Sequence, residues 1–494
     1  MKKSYCIKIQ NACLACGLLF AVSCSGVEQY RTSDAVPRIF PDYANATVPV
    51  NIAPLNFRIM EDGSEFMARF SAGADSFDVY GSNDILIPSG KWKRLLQQHA
   101  GTPLSVSIFA KEPAGWVRYR SLRLEIAPEP VDPFIAYRLI EPGYEYWGTM
   151  GIYQRNLESF DETPVIVNTL TDGSCMNCHS FCSHNPQQML FHVRAQHAGT
   201  VLLKDGTLSK LNLKTPDIVS AGVYPRWHPH GKYIAFSVNK TFQAFHSSDS
   251  RLVEVYDMSS DLIVYNTETQ TLGYTSVIHS PDRFETFPEW SPDGKTLYFC
   301  SAPAKKMPGS YDSLKYDLLK VGFNPQTAKT GNVVDTVLSA SATGKSASFP
   351  RISPDGKYMT VCLSSSGTFP IWHKDSDLYL LNLSTGVLEP MDSVNSRESD
   401  SYHSWSSNGR WTVYGSRCMD GLYTRPYIVY FDTAGIFHKP FLLPQKEPFA
   451  HYSELLKSYN IPEFITGKIT VSPQAFERIV KGEAVDVKSS RNKR

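Results

Sequence analysis

The amino-acid sequence predicts a mainly β protein, and three observations support that prediction. Tyr and Phe occur 26 times each, and Gly and Pro occur 31 and 32 times, a usage that favours short strands joined by turns. Strand-like runs alternate through the first third of the chain, and one segment recurs four times in the second half. At 494 residues the chain is long enough for two or three domains.

Residues 1–23 have the pattern of an export signal. Lysines occur at the start, and 12–22 is a mostly apolar or small run that is too short to span a membrane. The segment Phe20-Ala21-Val22-Ser23-Cys24 resembles the lipobox of bacterial lipoproteins, with Ala21 where Leu is usual. The resemblance implies that Cys24 is lipidated, that 24–35 is a tether, and that the protein is anchored in the cell envelope, at the outer membrane facing the periplasm. The alternative is an ordinary cleaved signal with Cys24 as a bystander.

Residues 36–127 show the alternation of a β domain. Strand-like runs cover 56–60, 65–70, 76–80, 104–110 and 117–125, and a short helix is predicted over 91–98. The pattern resembles an immunoglobulin or fibronectin-type β-sandwich, which implies a binding or spacer module. No candidate site is visible in this part of the sequence.

Residues 128–187 are predicted to form a linker and a haem-attachment segment. The segment contains Cys175-Met176-Asn177-Cys178-His179, which matches the signature of a covalently attached c-type haem. The two thiols can each add to one vinyl group of a porphyrin, and His179 then follows directly as the proximal iron ligand. The predicted cofactor is therefore haem c, with its iron held by His179.

Two other interpretations of these cysteines stay open. Cys182 and His184 follow closely, so Cys175, Cys178, Cys182 and His184 could form a zinc cage. Cys175 and Cys178 could also form a disulfide, because an exported chain meets oxidising conditions.

The sixth iron ligand is not fixed by the sequence. The candidates are His184, His192, His197, His246, His403, Met150 and Met189. If none of them binds, the iron is five-coordinate and open to small ligands.

Residues 188–449 contain the repeat. Its four copies begin at Tyr224, Phe287, Phe349 and Tyr402, and in two of them the run Ser-Pro-Asp-Gly-Lys is complete. Pro presets φ, Asp bonds its own backbone and Gly accepts positive φ, so each copy predicts a strand, a tight turn and a partner strand. Such units bury both faces only by stacking on their neighbours, which predicts a ring.

These repeats resemble those of TolB-like β-propellers, a resemblance that implies five or six blades. The match is weaker in the first copy, where His228 and His230 intrude, and in the last, where Ser407-Asn408 replaces Pro-Asp. The tail, 450–494, is predicted to add a strand near 468–471 and a helix over 473–481.

Charge and motifs limit the function. With 49 basic and 48 acidic residues, the chain has no electrostatic footprint for nucleic acid. It has no nucleophile elbow, zinc-protease motif or phosphate-binding Gly loop. The sequence therefore predicts an electron-transfer or haem-dependent redox lipoprotein with a redox or envelope partner, more readily than a catalyst. The alternative is a non-redox propeller scaffold that binds an envelope component.

Overall fold

The computed structural model describes residues 27–143, 148–216, 218, 220–249 and 251–489. Strands are the commonest regular structure among these residues. The helices are α1 (Ser89–Gln98), α2 (Ala340–Thr343), α3 (Pro448–Glu454) and α4 (Pro473–Lys481), with short 3₁₀ turns at Asn168–Leu170, Ala195–His197, Tyr311–Ser313 and Pro370–Trp372. No helix in the described ranges is both long and apolar enough to cross a membrane.

The N-terminal part contains two sheets. The strands are β1 (Tyr30–Thr32), β2 (Ile39–Phe40), β3 (Thr47–Val48), β4 (Phe57–Ile59), β5 (Phe66–Ala72), β6 (Asp75–Gly81), β7 (Asp84–Ile85), β8 (Pro103–Glu112), β9 (Gly115–Arg118) and β10 (Leu122–Ile126). The larger sheet has seven strands: five are paired in the order β1-β9-β8-β10-β3, and β5 and β6 complete it. The smaller sheet has three strands, in the order β2-β4-β7.

One apolar core joins these two sheets. Phe57 of the smaller sheet and Phe70 of the larger sheet have ring centroids 6.4 Å apart. Helix α1 buries Trp92, Leu95 and Leu96, whose three- and four-residue spacing puts them on one helix face. The helix predicted over 91–98 is confirmed.

Six sheets of four strands or more follow in chain order. The strands are β11 (Phe134–Ile140), β12 (Gly151–Asn156), β13 (Glu162–Val167), β14 (Met176–Cys182), β15 (Asn185–Val193), β16 (Gly199–Lys204), β17 (Thr207–Asn212), β18 (Val223–Trp227), β19 (Tyr233–Phe245), β20 (Val253–Asn266), β21 (Thr271–Gly273), β22 (Arg283–Trp290), β23 (Thr296–Pro303), β24 (Asp317–Asn324), β25 (Lys329–Leu338), β26 (Ser346–Ile352), β27 (Tyr358–Ser364), β28 (Asp377–Asn382), β29 (Leu388–Pro390), β30 (Asp400–Trp405), β31 (Trp411–Ser416), β32 (Arg425–Tyr430), β33 (Phe441–Leu442), β34 (Ser458–Ile465), β35 (Val485–Asp486) and β36 (Lys488–Ser489).

The six sheets are arranged as in a β-propeller. Within each sheet the strands that follow one another in the chain pair antiparallel, and β35 and β36 each add a parallel outer strand to one sheet. The first strands β14, β18, β22, β26 and β30 contact one another in succession. Strand β34, near the C-terminus, pairs with β11 and contacts both β30 and β14. The chain therefore closes the ring by placing a late strand in the sheet that its early strands begin.

Each inner strand contains a bulge with a left-handed residue. These residues are Cys178, Tyr224, Phe287, Phe349, Tyr402 and Ile461, with φ between 46° and 54°. In every case the pairing register shifts around this residue and the one after it. A bulge re-aims the side chain of the strand that carries it, and these six side chains meet at the centre of the ring.

Aromatic rings close the centre. Successive ring centroids of Tyr224, Phe287, Phe349 and Tyr402 lie 4.6, 4.2 and 4.8 Å apart. We call these four side chains, together with Cys178 and Ile461, the central plug.

Indole groups join adjacent sheets around the ring. Nε1 of Trp227 donates to the backbone oxygen of Ser180 at 3.3 Å, and Nε1 of Trp290 donates to that of Arg226 at 3.1 Å. Trp405 donates in the same way to the backbone oxygen of Arg351 at 3.1 Å. Because each bond crosses to the preceding sheet, these residues fix the angle between neighbours as well as burying apolar area.

The predicted turns are confirmed. Asp293 Oδ1 accepts hydrogen bonds from Ser291 Oγ at 2.6 Å and from the backbone N–H of Lys295 at 3.0 Å. Gly294 has φ of +68°, which an L side chain rarely adopts. In the tail, the helix predicted over 473–481 is confirmed as α4, which Ser472 caps by accepting from the N–H of Ala475.

Trp290→Ala is expected to destabilise the protein by roughly 3–5 kcal/mol, the usual range for truncating a buried Trp. Trp290 is 4% exposed and also bonds to the neighbouring sheet. The free energy of unfolding from denaturant titration measures the effect. Val333→Ala, at a valine that is 73% exposed, is the control and should change it little. Equal stabilities for the two variants would contradict a packed ring.

Candidate functional site

The cysteine–histidine segment lies at the start of an inner strand. Cys175 directly precedes β14 and is half-buried, and its backbone oxygen accepts from the N–H of Arg194 at 2.8 Å. Met176 and Asn177 pair with Val193 and His192 of β15. The predicted linker and haem segment, 128–187, thus contains strands β11 to β14 of the ring.

Cys178 belongs to the central plug. Its φ is +54°, and its backbone N–H donates to Asn177 Oδ1 at 2.8 Å. Burial raises the pKa of its thiol, while the positive charges of Arg194 and Arg138 partly oppose that rise. Cys178 is therefore a protonated thiol at neutral pH, held beside the aromatic rings of the plug.

His179 is buried without a hydrogen bond to either ring nitrogen. Burial lowers the pKa of this imidazole, and although the backbone groups of Ile461 and Ala136 oppose the shift, neither bonds the ring in good geometry. His179 is consequently a neutral imidazole with a free lone pair. This is the form of histidine that ligates metals.

A small cavity of about 20 Å³ lies beside Cys178 and His179. Its walls are formed by Cys178, His179, Tyr224, Pro225, Arg226, Phe349, Arg351, Tyr402, Ile461 and Glu463. This space suits a single water molecule, whereas pockets for cofactor-sized ligands measure about 300–1,000 Å³. The donor set fits a c-type haem, but the porphyrin ring does not fit inside this cavity.

Among the residues that it describes, the structure contains neither the disulfide nor the zinc cage that the sequence left open for these cysteines. Cys175, Cys178 and Cys182 are all free thiols, so no disulfide joins the first two. Within the described ranges no group of three or more His, Cys, Asp or Glu side chains is arranged to hold a metal ion. The zinc cage of Cys175, Cys178, Cys182 and His184 is therefore absent from this arrangement.

The candidate sixth ligands are scattered. His184 is close to the backbone oxygen of Phe464 (Nδ1 to O, 3.1 Å), and His197 is paired with Asp172 at 2.8 Å. His192 is buried, and burial lowers its pKa to about 3. Two further candidate ligands, Met150 and Met189, are buried. His246 lies beside the tip of the β19–β20 hairpin.

His403 is the counterpart of His179 in another inner strand. Each follows the left-handed residue of its strand, and each is buried with both ring nitrogens free of hydrogen bonds. Burial, assisted by the positive charge of Arg351, lowers the pKa of His403 to about 3. In strand β18 the left-handed residue Tyr224 is followed by Pro225. The position after the left-handed residue therefore accepts either Pro or a neutral His.

A wider funnel is also lined by Arg226, Arg351 and Glu463, which border the small cavity. It has a volume of about 350 Å³. One apolar side chain from each inner strand lines it, namely Phe181, Trp227, Trp290, Ile352, Trp405 and Phe464. Its floor is a set of four charged residues, Arg226, Glu289, Arg351 and Glu463, and all of these except Glu289 also border the small cavity.

The charged floor was not predicted from the sequence. Arg226 donates to Glu289 Oε2 at 2.6 Å and to Glu463 Oε1 at 2.9 Å. The available signal was the residue between the Pro and the Trp or Ile of each repeat, which is charged in three of the four copies. Its partner Glu463 comes from the closing strand, which was not recognised as a repeat.

The lipidation site Cys24 lies outside the described residues. The lipid anchor therefore stays a prediction of the sequence.

Comparisons with known proteins add only remote likenesses. No protein-family profile and no curated protein matches the chain. Among solved structures it is similar to an oligogalacturonate lyase from Vibrio parahaemolyticus, at 12% identity and a TM-score of 0.31, over 58% of this chain and 84% of the lyase. It is also similar to a puromycin-hydrolysing peptidase from Mycobacterium tuberculosis, at 14% identity and a TM-score of 0.37, over 70% of this chain and 52% of the peptidase.

A third likeness is to dipeptidyl peptidase 4 from Porphyromonas gingivalis. The identity is 12% and the TM-score 0.32, over 61% of this chain and 46% of the peptidase. The chain thus spans about half the length of the two peptidases. Likenesses at this level carry no conclusion about activity.

His403→Gln is expected to reduce the loss of stability in acid. The folded-state pKa of about 3 lies below the ordinary value of 6.5, so below pH 6.5 the unfolded chain binds the proton first. Stability from this residue is present above pH 6.5 and is lost as the pH falls towards 3. The variant should flatten the plot of unfolding free energy against pH in this window by up to about 1.4 kcal/mol per pH unit.

His246→Gln, near the hairpin tip, is the matched control and should leave the slope unchanged. Parallel slopes for wild type and His403→Gln would show that His403 is not held neutral.

Proposed function

We propose that this protein carries one covalent haem c, attached through Cys175 and Cys178 with His179 as an iron ligand, and that it transfers electrons in the bacterial cell envelope. The observation that carries the proposal is His179. It is a buried, neutral imidazole without a hydrogen-bond partner, and it directly follows two free thiols at the spacing of a haem-attachment motif.

The chain's own residues prepare this site in three ways. Desolvation keeps His179 unprotonated. Strand β14 holds its backbone by pairing with β15, and the half-buried Cys175 leaves one end of the motif open. A bound haem would supply an iron that gains and loses one electron.

The small cavity limits where the group can lie. Because the space beside Cys178 and His179 is about 20 Å³, these residues would need to open further to hold a haem, whereas Cys175 is already partly exposed.

We also propose the finer architecture. Each of the six sheets is one blade of a TolB-like propeller, and the two N-terminal sheets are an immunoglobulin or fibronectin-like sandwich that serves as a spacer or binding module. Lipidation at Cys24 would attach this assembly to the outer membrane, facing the periplasm and a redox or envelope partner.

A second candidate function is a non-redox propeller scaffold. The observation that favours it is the equivalence of Cys178-His179 to Tyr402-His403 in another inner strand. On this view both residues are buried because the repeat buries that position, and the cysteines have no cofactor.

Cys178→Ser separates the two candidates. If haem is attached, wild-type protein matured with haem-attachment machinery shows a Soret band that survives denaturation, and the band is weaker or absent in the variant because only Cys175 can still form a thioether. Absorbance of the denatured pyridine complex measures this. Cys182→Ser, at a buried thiol outside the motif, is the control and should keep full haem. Wild-type protein without a Soret band would contradict the haem proposal and favour the scaffold.

Cys24→Ala tests the anchor. Acyl chains contribute about 0.8 kcal/mol for each buried methylene, so wild-type protein should partition into detergent and the variant into the aqueous phase. Phase separation followed by immunoblotting measures the distribution. The same distribution for both proteins would contradict lipidation.

A further inference from the structure

The floor of the funnel contains one cation whose hydrogen bonds are incomplete. Arg351 Nη1 donates to the backbone oxygen of Pro350 at 2.7 Å and lies 3.4 Å from Glu289 Oε2. Its Nε is buried and makes no hydrogen bond to any described residue. A buried guanidinium with unused donors costs stability, and a ligand that accepts from it recovers that cost.

The neighbouring charges do not supply this acceptor. Glu289 Oε2 lies closer to Arg226, at 2.6 Å, than to Arg351, and Arg226 also binds Glu463 at 2.9 Å. The Arg351 side chain is 13% exposed and borders both the funnel and the small cavity, so it is largely shielded from bulk water and part of it is reachable from the funnel. Burial and the charge of Arg226 lower the pKa of Arg351 to about 10, which leaves the guanidinium charged at neutral pH.

The walls around Arg351 are apolar. Trp290, Ile352 and Trp405 come from its own strand and the two flanking inner strands, and all three line the funnel. The indole N–H groups of Trp290 and Trp405 are already bonded to backbone oxygens. These side chains therefore offer apolar surface to a ligand and no further donors.

We propose that the funnel binds a carboxylate attached to an apolar or aromatic body, with the carboxylate on Arg351 and the body against Trp290, Ile352 and Trp405. Guanidinium and carboxylate are matched in shape and form paired hydrogen bonds. A volume of about 350 Å³ suits a ligand of amino-acid size or the last residue of a peptide. The same chemistry thus has two sources, a free small acid and a peptide C-terminus.

This site is separate from the proposed haem. Cys175, Cys178 and His179 do not line the funnel, although Arg226, Arg351 and Glu463 border both the funnel and the small cavity beside Cys178 and His179. The binding test therefore does not depend on whether the protein carries haem.

The experiment compares N-acetyl-phenylalanine with N-acetyl-phenylalanine amide by isothermal titration calorimetry on the full mature protein in detergent. The two probes share the aromatic body and differ in the carboxylate. The acid should bind at least tenfold more tightly than the amide, and the difference should shrink at high salt. Equal affinities, or no binding of either probe, would overturn the proposal.

Variants assign the contact. Arg351→Gln should weaken binding of the acid at least tenfold, and Arg351→Lys should recover part of the loss. Glu289→Gln should tighten binding, because it removes the carboxylate that competes for Arg351. Arg123→Gln, on the N-terminal sheet, is the charge-matched control. Unchanged affinity in Arg351→Gln would overturn the assignment; if that variant does not fold, Glu289→Gln must still tighten binding, and failure to do so overturns it.

A hexapeptide ending in phenylalanine distinguishes the two sources. Binding at least as tight as that of the N-acetyl acid assigns the site to a peptide C-terminus. Loss of binding on extension assigns it to a free small acid.

Discussion

The left-handed residue in each inner strand is the constraint on which the centre of this protein depends. A non-glycine residue at positive φ costs on the order of 1 kcal/mol or more, and the ring contains six of them at equivalent places. Contacts among the side chains that these bulges turn inward offset the cost, as in the edge-to-face contact of Tyr224 with Phe287 and the tilted contact of Phe287 with Phe349. Without the bulges, the inner strands would present different side chains to the axis and the central plug would not form.

The same constraint explains the properties of the cysteine–histidine motif. Cys178 takes the left-handed position, and His179 takes the next one, where the ladder is interrupted and four other strands have Pro. Pro is tolerated there because the bulge leaves its missing N–H out of the pairing. With His in place of Pro, the fold buries an imidazole that has nothing to bond. The unused ring nitrogens of His179 are thus produced by the repeat, and the proposed haem iron would be held by one of them.

Much of the ring could be predicted from the sequence, because Ser-Pro-Asp-Gly marks the turn that follows an inner strand and local turn chemistry needs no knowledge of distant contacts. The inner strand β14 is harder to predict, since Ser183-His184-Asn185 replaces Pro-Asp-Gly in the turn that follows it. Strand β34 was missed although Ile461-Pro462 keeps the pattern of the bulge. The pairing of Arg226 with Glu463 could not be predicted, because the two residues are far apart in the sequence and come together only when β34 closes the ring.

The central claim is that a buried repeat position has become a haem-attachment site. Trypsin cuts after Arg155 and Arg194 but nowhere between them, so one peptide, 156–194, contains Cys175, Cys178 and His179. The most direct measurement is the mass of this peptide from protein produced with haem-attachment machinery. The account predicts the peptide mass increased by one haem, with Cys175 and Cys178 resistant to alkylation. Recovery of the unmodified peptide with all three of its cysteines alkylated would contradict it.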